Sequence, residues 1–481
     1  MPLRLSFILA AALAAAGAHA QTTPARIHDF IRDDGGVPYA APALSADGYL
    51  YGTTSEGGTS GWGTIYRVRP DGSDFQSLHS FDWVAEGAGF GGVIEGRDGA
   101  LYGTTRNGDS NGSVSAGAVF RMAKDGSGYT TLHAMAANGG DGGVQNARLA
   151  QDADGVLYGV STQGGSTGLG TVFSLRPDGS AFTVLHRFAG GLDGGAPIGA
   201  LSIGADGRIY GTTAAYGAGF QGTVFTMARD GSDYRVLHAL SRLTGDGDSP
   251  QSDLTDGGDG WFYGTTAFGG IFCDCGTAFR VNTSGAYETL RSLDGQLSGA
   301  TPIGAPAFGP NGHLYGTART NAGGQFAGGA IWELDRQGKL VGVYDFPMPE
   351  LYAPTGNLVL GPDKRFYTVA NYSKPNDYGA VISFDPATQL APPVMPPVFV
   401  SMNLNPTRIR AGHWSELTWY SENAGKCVAS GDWSGHKRIN GPAGIRLHPT
   451  EPGTYTYTLT CSNTAGSMSA TQTLEVLKDR H

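Results

Sequence analysis

The chain alternates short apolar runs with glycine-containing turns, and one such unit recurs along most of its length. In residues 206–240, a turn at Asp206-Gly207 precedes an apolar run that ends in Tyr210-Gly211-Thr212-Thr213. A glycine-rich spacer, a second apolar run from Gly222 and a turn at Asp230-Gly231 follow. Short runs of β-branched and aromatic residues predict strands, and Asp-Gly pairs predict tight turns between them. The unit therefore predicts an antiparallel sheet.

The tyrosine of this unit marks a repeat. Successive copies lie 51, 56, 52, 53, 52 and 52 residues apart, at Tyr51, Tyr102, Tyr158, Tyr210, Tyr263, Tyr315 and Tyr367. Three further apolar runs accompany most copies, which gives four strands for each repeat. A period of about fifty residues with four strands is typical of the blades of a β-propeller.

The two ends of the repeat region do not match. Seven copies of the first three strands are followed by only six copies of the fourth, and Arg26–Phe30 resembles the missing strand. Pairing of Arg26–Phe30 with the last repeat would close a ring and remove the exposed strand edges. The sequence therefore predicts an all-β fold, a seven-bladed β-propeller with N-terminal strand closure.

The repeated motifs also resemble a known family. Units such as DGRIYGTT, GTVFTM and YRVLHAL are similar to GloVer repeats, the tandem repeats of bacterial exported proteins called choice-of-anchor GloVer-containing proteins. The resemblance covers about three-quarters of the chain, namely its repeat region. It implies export and surface association, and it implies no particular chemistry.

The first twenty residues predict a signal peptide. Arg4 precedes an apolar segment, Leu5–Ala16, that is too short to span a bilayer, and Ala18-His19-Ala20 fits a cleavage site. We therefore expect cleavage after Ala20 and a secreted or periplasmic protein. The propeller is assigned to residues 21–388 and a proline-rich linker to residues 389–397.

Residues 398–481 differ from the repeats in composition. Strands with alternating apolar positions and the pattern Cys427, Trp433, Cys461 resemble a bacterial immunoglobulin-like β-sandwich. In an oxidising compartment, we expect a structural Cys427–Cys461 disulfide. Cys273 and Cys275 are explained by a local disulfide, a reactive pair or half of a metal site, of which the disulfide is favoured.

Charge and composition narrow the classes of partner that the protein is expected to bind. The net charge of −10 argues against binding to a nucleic-acid backbone. No segment after the signal peptide is long and apolar enough for a transmembrane helix. These features favour a monomer without a membrane span, and no cofactor is predicted.

Several repeated residues could suggest chemistry. His28, His79, His133, His186 and His238 occupy one repeat position, but they belong to the outermost strands of separate blades. We therefore interpret them as polar anchors that hydrogen-bond within a blade or to its neighbour. Because a feature present in every blade serves the blade, function is expected where the repeats differ.

The longer, divergent loops are predicted to lie together on one face of the propeller. Aromatic rings beside amides and carboxylates suit recognition of a sugar or a peptide. Arg148 and Asp253, with Asn357, occupy equivalent positions on the innermost strand and are expected to reach the central channel, as ligand contacts or as an internal network. The candidate ligand-binding residues are Trp62, Asn107, Asp109, Tyr216, Phe220, Phe326, Tyr372, Arg148 and Asp253.

Two functions remain open. The first is a non-enzymatic exported protein that binds an extracellular glycan or protein through the divergent loops. The alternative is a carbohydrate-active enzyme, a hydrolase or lyase, with Asp141, Asp246 or Asp253 at the channel mouth. The acidic stretch Gly245–Gly260 does not have the spacing of an EF-hand and is interpreted as solvated turns. No catalytic residue and no metal ligand is predicted.

Overall fold

The structure of the protein is a computed structural model, and all of the regular secondary structure in its described residues is β-strand. It describes residues 23–478 except residues 85, 107–115, 137–139, 144–146, 272, 296–297, 321–327, 347–349, 389, 391–397, 423, 425, 438–440 and 464–465. Within these described residues there is no helix that could cross a membrane. The predicted all-β class is therefore confirmed.

The described part of the repeat region forms seven antiparallel sheets. In chain order its strands are β1 (Ala25–Asp29), β2 (Ala43–Leu44), β3 (Leu50–Thr53), β4 (Thr64–Val68), β5 (Gln76–Ser80), β6 (Ala88–Glu95), β7 (Leu101–Arg106), β8 (Ala118–Met122), β9 (Thr130–Ala134), β10 (Ala150–Gln151), β11 (Leu157–Ser161), β12 (Thr171–Leu175), β13 (Thr183–Arg187), β14 (Ser202–Ile203), β15 (Ile209–Thr213), β16 (Thr223–Met227), β17 (Arg235–Ala239), β18 (Thr255–Asp256), β19 (Trp261–Thr266), β20 (Thr277–Asn282), β21 (Tyr287–Ser292), β22 (Ala307–Phe308), β23 (Leu314–Ala318), β24 (Ala330–Leu334), β25 (Leu340–Asp345), β26 (Leu351–Pro354), β27 (Val359–Leu360), β28 (Phe366–Ser373) and β29 (Ala380–Phe384). Sheets 1 to 6 each contain four consecutive strands: β2–β5, β6–β9, β10–β13, β14–β17, β18–β21 and β22–β25. Sheet 7 combines β1 with β26–β29.

The turn before the repeated tyrosine, which is Asp-Gly in five of the seven repeats, has a structural purpose. In sheet 4, one carboxylate oxygen of Asp206 accepts the Arg208 amide at 3.0 Å, and the other accepts the Tyr210 hydroxyl at 2.5 Å. Gly207 has a φ of +75°, a conformation that an L side chain rarely adopts. The turn aspartate thus satisfies the only polar atom of a tyrosine ring that is buried in the core. Equivalent bonds join Tyr51 to Asp47, Tyr102 to Asp98, Tyr263 to Asp259 and Tyr367 to Asp363, whereas Tyr158 donates to Asp152, two residues before the Asp-Gly pair of its repeat.

The N-terminal strand completes the last sheet. β1 pairs antiparallel with β29, with Ala25 opposite Ser383 and Asp29 opposite Ala380. The Phe30 amide donates to the carbonyl of Gly379 at 2.9 Å. The predicted pairing of Arg26–Phe30 with the last repeat is therefore present.

Adjacent sheets share hydrophobic cores, and the series of cores returns to its start. Tyr158 and Val172 of sheet 3, for example, pack in one cluster with Leu201 and Phe225 of sheet 4. Sheets 1 and 2, 2 and 3, 4 and 5, 5 and 6, and 6 and 7 share further clusters. A last cluster unites residues of sheet 7 with residues of sheet 1. The architecture is propeller-like.

The repeated histidines link neighbouring sheets at their outer strands. His186 of sheet 3 stacks on Tyr234 of sheet 4 with ring centroids 3.8 Å apart, and its Nε2 lies 3.0 Å from the Asp193 carboxylate. The same arrangement occurs in the pairs His28–Phe75, His79–Tyr129, His133–Phe182 and His238–Tyr287. Each of these histidines also contacts an acid, respectively Asp34, Glu86, Asp141 and Asp246. These contacts confirm the structural interpretation of the five histidines.

The described residues after 397 form two further sheets. Their strands are β30 (Phe399–Asn405), β31 (Arg408–Arg410), β32 (Ser415–Glu422), β33 (Lys426–Gly431), β34 (Gly435–Lys437), β35 (Gly441–Leu447), β36 (Gly453–Asn463) and β37 (Gly466–Leu477). One sheet has the order β30-β32-β35 and the other β31-β37-β36-β33-β34. Leu417, Leu459 and Leu474 are completely buried in their common core.

The disulfide of this region is present, but its setting differs from that in antibody domains. Cys427 and Cys461 are bonded and lie directly opposite each other on β33 and β36. The bond therefore joins neighbouring strands of one sheet, whereas in antibody domains it bridges two sheets. The expected Cys273–Cys275 disulfide is also present.

Candidate functional site

A central cavity of about 360 Å³ opens where the seven sheets of the repeat region meet. Its wall is built by residues in or just before the innermost strand of each sheet. One lining residue from each of sheets 1 to 7, in that order, is Ala41, Gly91, Arg148, Gly199, Asp253, Ile303 and Asn357. Because every repeat contributes to it, the central cavity is a property of the whole assembly of repeats.

Three polar side chains meet across the central cavity. Arg148 donates through Nε to Asp253 Oδ2 at 3.1 Å, and Asn357 donates through Nδ2 to the same oxygen at 2.8 Å. The other carboxylate oxygen of Asp253 accepts the backbone amide of Ala200 at 2.6 Å. These residues come from sheets 3, 5 and 7, so the network links alternate sheets and fully engages the one carboxylate that lines the described wall.

Small residues in sheets 4 and 6 allow the side chains of sheets 3, 5 and 7 to meet across the central cavity. Arg148, Ala200, Asp253, Ala305 and Asn357 occupy equivalent positions, ten residues before the repeated tyrosine. The Ala305 amide donates to Asn357 Oδ1 at 2.7 Å, just as the Ala200 amide donates to Asp253. Each alanine thus supplies a backbone donor and leaves space above it for the longer side chains to meet.

An aromatic stack forms another side of the central cavity. The rings of Tyr39 and Phe90 lie 5.0 Å apart at an angle of 24°. The Arg106 guanidinium lies 5.0 Å from the centre of the Phe90 ring. The result is a layered wall of a phenol, a phenyl ring and a cation, which offers both apolar faces and hydrogen-bond donors.

The phenol of this wall is kept in its neutral form. Burial raises the pKa of Tyr39, the nearby Tyr372 adds to the effect, and the positive charges of Arg319 and Arg106 oppose it only in part. At neutral pH the hydroxyl is therefore protonated and can both donate and accept a hydrogen bond.

A second cavity of about 580 Å³ adjoins the first, and we call it the side cavity. The two cavities share Tyr39, Phe90 and Arg106. At the outer rim of the side cavity, Trp62 and Trp83 stack with centroids 4.4 Å apart and an interplanar angle of 29°. The Trp62 side chain is 41% exposed, which is unusual for so large an apolar group. Arg32, Glu56 and Tyr378 complete the polar part of this wall.

The charge of the central cavity is opposite in sign to that of the protein. Three guanidinium groups, of Arg106, Arg148 and Arg319, line it together with the single carboxylate of Asp253. Asp253 neutralises Arg148, whereas no described residue accepts a hydrogen bond from Arg106 or Arg319. The Nε atom of Arg106 is buried and has no partner among the described residues. Among the described residues, the guanidinium groups of Arg106 and Arg319 thus have no ion-pair partner.

The structure divides the candidate residues that the sequence predicts. Arg148 and Asp253 line the central cavity and Trp62 lines the side cavity. Tyr372 stacks on Tyr352 and acts electrostatically on Tyr39. Tyr216 and Phe220 belong to a turn that lines neither cavity, although the Phe220 ring is 74% exposed. Asn107, Asp109 and Phe326 lie outside the described residues.

Two of the three carboxylates considered for catalysis have structural partners elsewhere. Asp141 contacts His133 at 2.9 Å and Asp246 contacts His238 at 2.9 Å, both at outer strands. Neither residue lines the central cavity, so the expectation that they stand at the channel mouth beside Asp253 is wrong. The sequence does not reveal that these two aspartates contact the histidines that link neighbouring sheets.

The acidic stretch of residues 245–260 is also distributed over separate contacts. Asp248 pairs with Arg242, Asp259 accepts the Tyr263 hydroxyl, and Asp256 accepts the Gly258 amide. In the part of the chain that the structure describes, no three metal-ligating side chains come together.

Arg106 and Arg319 are the lining residues that the sequence reasoning missed. Both stand four positions after the repeated tyrosine, directly behind the YGTT or YGTA motif. The other repeats have Ser55, Thr162, Ala214, Ala267 and Asn371 at this position. The variation at this position, directly after an otherwise uniform motif, is the signal that the sequence offers; that Arg106 and Arg319 face the cavity is visible only in the structure.

Comparison of the sequence with protein families and with curated proteins gives one match. The family model described as the Gloeobacter/Verrucomicrobia repeat matches residues 16–201, 91–320 and 200–392. No curated protein matches the chain.

Solved structures of similar shape have low sequence identity to the chain. The extracellular domain of a hybrid two-component system from B. thetaiotaomicron has a TM-score of 0.47 and 12% identity, over 92% of this chain and 55% of that one. The chain thus spans about half the length of that protein. A candidate 6-phosphogluconolactonase from Bacteroides uniformis has a TM-score of 0.48 and 19% identity, over 72% and 94%. A fungal alcohol oxidase in complex with copper has a TM-score of 0.46 and 14% identity, over 93% and 99%.

Proposed function

Because the chain belongs to the Gloeobacter/Verrucomicrobia repeat family, we propose a function that uses its repeats together: an exported protein that binds a glycan in the central and side cavities. The observation that carries this proposal is the stacked pair Trp62–Trp83 at the rim of a cavity with charged walls. Exposed indole faces pack against the C–H faces of sugar rings, and the neighbouring polar groups fix the orientation.

The proposal includes a seven-bladed β-propeller as the scaffold. Its support is the number of described sheets in the repeat region, the pairing of β1 with β29 and the core shared by sheets 7 and 1. The Thr355 hydroxyl of sheet 7 also donates to the carbonyl of Tyr39, just before sheet 1, at 3.3 Å. The region after residue 397 is proposed to be an immunoglobulin-like sandwich that serves as a spacer or a second adhesive module.

Binding is favoured over catalysis by the state of Asp253. A glycosidase of the common type needs two carboxyl groups on opposite sides of the bond that is cleaved. Asp253 already accepts bonds from Arg148, Asn357 and Ala200, and Glu56 belongs to the side cavity. This arrangement holds a carboxylate as a structural acceptor and supports a binding site.

Export is part of the proposal and draws on two features. Residues 1–20 have the charged start, the apolar segment and the small-residue cleavage motif of a signal peptide. The two disulfides are typical of an oxidising compartment, such as the periplasm or the cell exterior.

The test is a glycan array probed with the protein secreted by its native host. We expect binding to at least one class of oligosaccharide, and loss of most of it in Trp62→Ala and Trp83→Ala, because stacking is removed. Trp414→Ala is the matched control, since Trp414 is 53% exposed and lies far along the chain from both cavities. Binding that survives both cavity variants, or an array without any ligand, would contradict the proposal.

A further inference from the structure

We infer that the ligand is an acidic saccharide whose anionic group is held by Arg106 and Arg319 in the central cavity. This inference rests on the proposed glycan binding and adds the chemical class of the sugar. It is based on the guanidinium groups of the cavity, which are independent of the tryptophan pair.

The central cavity is lined by more cationic than anionic side chains, namely three arginines and one aspartate. Arg148 has its partner in Asp253 at 3.1 Å, so this pair is neutral. Arg106 and Arg319 line the same cavity without an acidic partner among the described residues. A partly buried guanidinium loses hydration and is stabilised when an anion replaces the lost water. An anionic ligand supplies this charge.

The negative net charge of the protein restricts the attraction of an anion to the central cavity. The chain has a net charge of −10, so an anion is repelled by most of the surface. Positive groups that line a cavity are screened by less water and have a stronger field than the same groups on an open surface. An anion is therefore selected by the cavity and excluded elsewhere.

The wall beside Arg106 identifies the anion as part of a sugar rather than a free ion. The Phe90 ring stacks on the Tyr39 ring, and the Arg106 guanidinium lies 5.0 Å from the centre of the Phe90 ring. A pyranose that carries an acid group presents an apolar face to such a ring while its acid group reaches the guanidinium. The neutral Tyr39 hydroxyl is available for a ring hydroxyl group.

The two cavities can act on one chain of sugars. Tyr39, Phe90 and Arg106 line both cavities, so the cavity of the Trp62–Trp83 pair and the cavity of the arginines are direct neighbours. One sugar ring then stacks on the tryptophans while the acidic ring of the same oligosaccharide occupies the central cavity. Neutral and acidic sugars of equal length should accordingly differ in affinity.

A purely structural purpose explains Arg148 and does not explain the other two arginines. Arg148 links sheets 3 and 5 through Asp253. Arg106 contacts the Phe90 ring, and the Arg319 guanidinium has no hydrogen bond to a described residue, so neither side chain joins sheets in this manner. Their removal should consequently leave the stability nearly unchanged.

The experiment compares two probes by titration calorimetry with the full mature protein. The probes are an oligogalacturonate and its fully methyl-esterified form, which has the same rings without the charge. We expect the acidic form to bind more tightly, and its affinity to fall with rising salt. In Arg106→Gln/Arg319→Gln its affinity should fall by about ten- to a hundredfold, because charge-assisted bonds are lost.

Arg235→Gln is the control, since Arg235 lies exposed on β17 and the charge change per site is the same. Thermal unfolding of each variant verifies that the fold is intact. Equal affinity for the acidic and the esterified probe, or full acidic binding by the double variant, would overturn the inference while glycan binding stands. If a glycan array shows binding only to sulfated sugars, the arginine site stands and the acid group is a sulfate ester; if it shows only neutral sugars, the inference fails.

Discussion

The Tyr315 hydroxyl donates a 2.8 Å hydrogen bond to Glu333, a residue of the neighbouring strand β24. In five other repeats the acceptor is the aspartate four residues before the tyrosine, and for Tyr158 it is Asp152, six residues before, but here Asn311 occupies the position four residues before. Asn311 instead donates to the same oxygen of Glu333 at 2.8 Å. Glu333 therefore replaces a turn aspartate that is missing from this repeat.

This replacement predicts a rescue. Glu333→Ala should lower the free energy of unfolding by about 1–3 kcal/mol, because it leaves a buried hydroxyl without an acceptor. Adding Asn311→Asp should restore part of the loss, since it recreates the arrangement of five other repeats. Urea denaturation of the single and double variants measures both effects. Asn311→Asp alone is the control, and a double variant no more stable than Glu333→Ala would refute the explanation.

A second prediction concerns acid stability. Burial opposes ionisation of the Asp152 carboxyl, but the Val156 amide, the Tyr158 hydroxyl and the Arg229 guanidinium outweigh it, and the pKa of Asp152 is lowered. Since its folded-state pKa lies below the unfolded value of about 3.9, the stabilisation is present above that value. It is lost as the pH falls through the folded-state pKa.

Asp152→Asn should therefore lower the melting temperature clearly at pH 7 and much less in strong acid. Calorimetric melting curves at a series of pH values measure the difference. Asp154→Asn is the matched control, because Asp154 contacts the same arginine with a largely exposed side chain. A loss of stability in Asp152→Asn that is the same at every pH would show that its charge is irrelevant.

The outer histidine links predict a measurable coupling between sheets. His186 and Tyr234 are stacked in parallel at 3.8 Å, with an angle of 6° between their planes. A double-mutant cycle with His186→Ala and Tyr234→Leu should give a coupling of about 0.5–1.5 kcal/mol. Tyr234→Phe should retain most of it, since Phe75 and Phe182 stand in the equivalent positions of other sheets. Additive effects of the two substitutions would contradict the link.

The repeated features of the fold were accessible from the sequence, and the unique features were not. The tyrosine spacing and the surplus strand at Arg26–Phe30 predict the sheets and the pairing of β1, because both depend on local patterns. The histidines at one repeat position likewise indicate a structural element. Glu333 shows the limit, since its link to Tyr315 depends on a cross-strand neighbour 18 residues away.

The candidate site was predicted only in part for a similar reason. Arg148 and Asp253 were found by their repeat position, and Trp62 by its exposed loop. The assignment of Asp141 and Asp246 to the channel mouth failed because the sequence does not show which strand of a sheet a residue in a crossing loop contacts. Both aspartates contact histidines of outer strands. Arg106 and Arg319 follow a repeated motif so closely that they read as part of it, and only the spatial arrangement shows that they face a cavity.

The last prediction concerns β1. Removal of residues 21–30 should destabilise the protein strongly, because β29 would lose its partner strand and Tyr66 and Val381 would lose the packing of Phe30. An unpaired β29 also exposes a strand edge, which favours association between chains. We expect a lower melting temperature and dimers or larger species in size-exclusion chromatography. A synthetic peptide of residues 23–31 added to the truncated chain should reverse both changes, whereas a peptide with Ile27→Asp and Phe30→Asp should not. A truncated chain that remains monomeric and melts as the intact chain does would show that the ring does not depend on this strand.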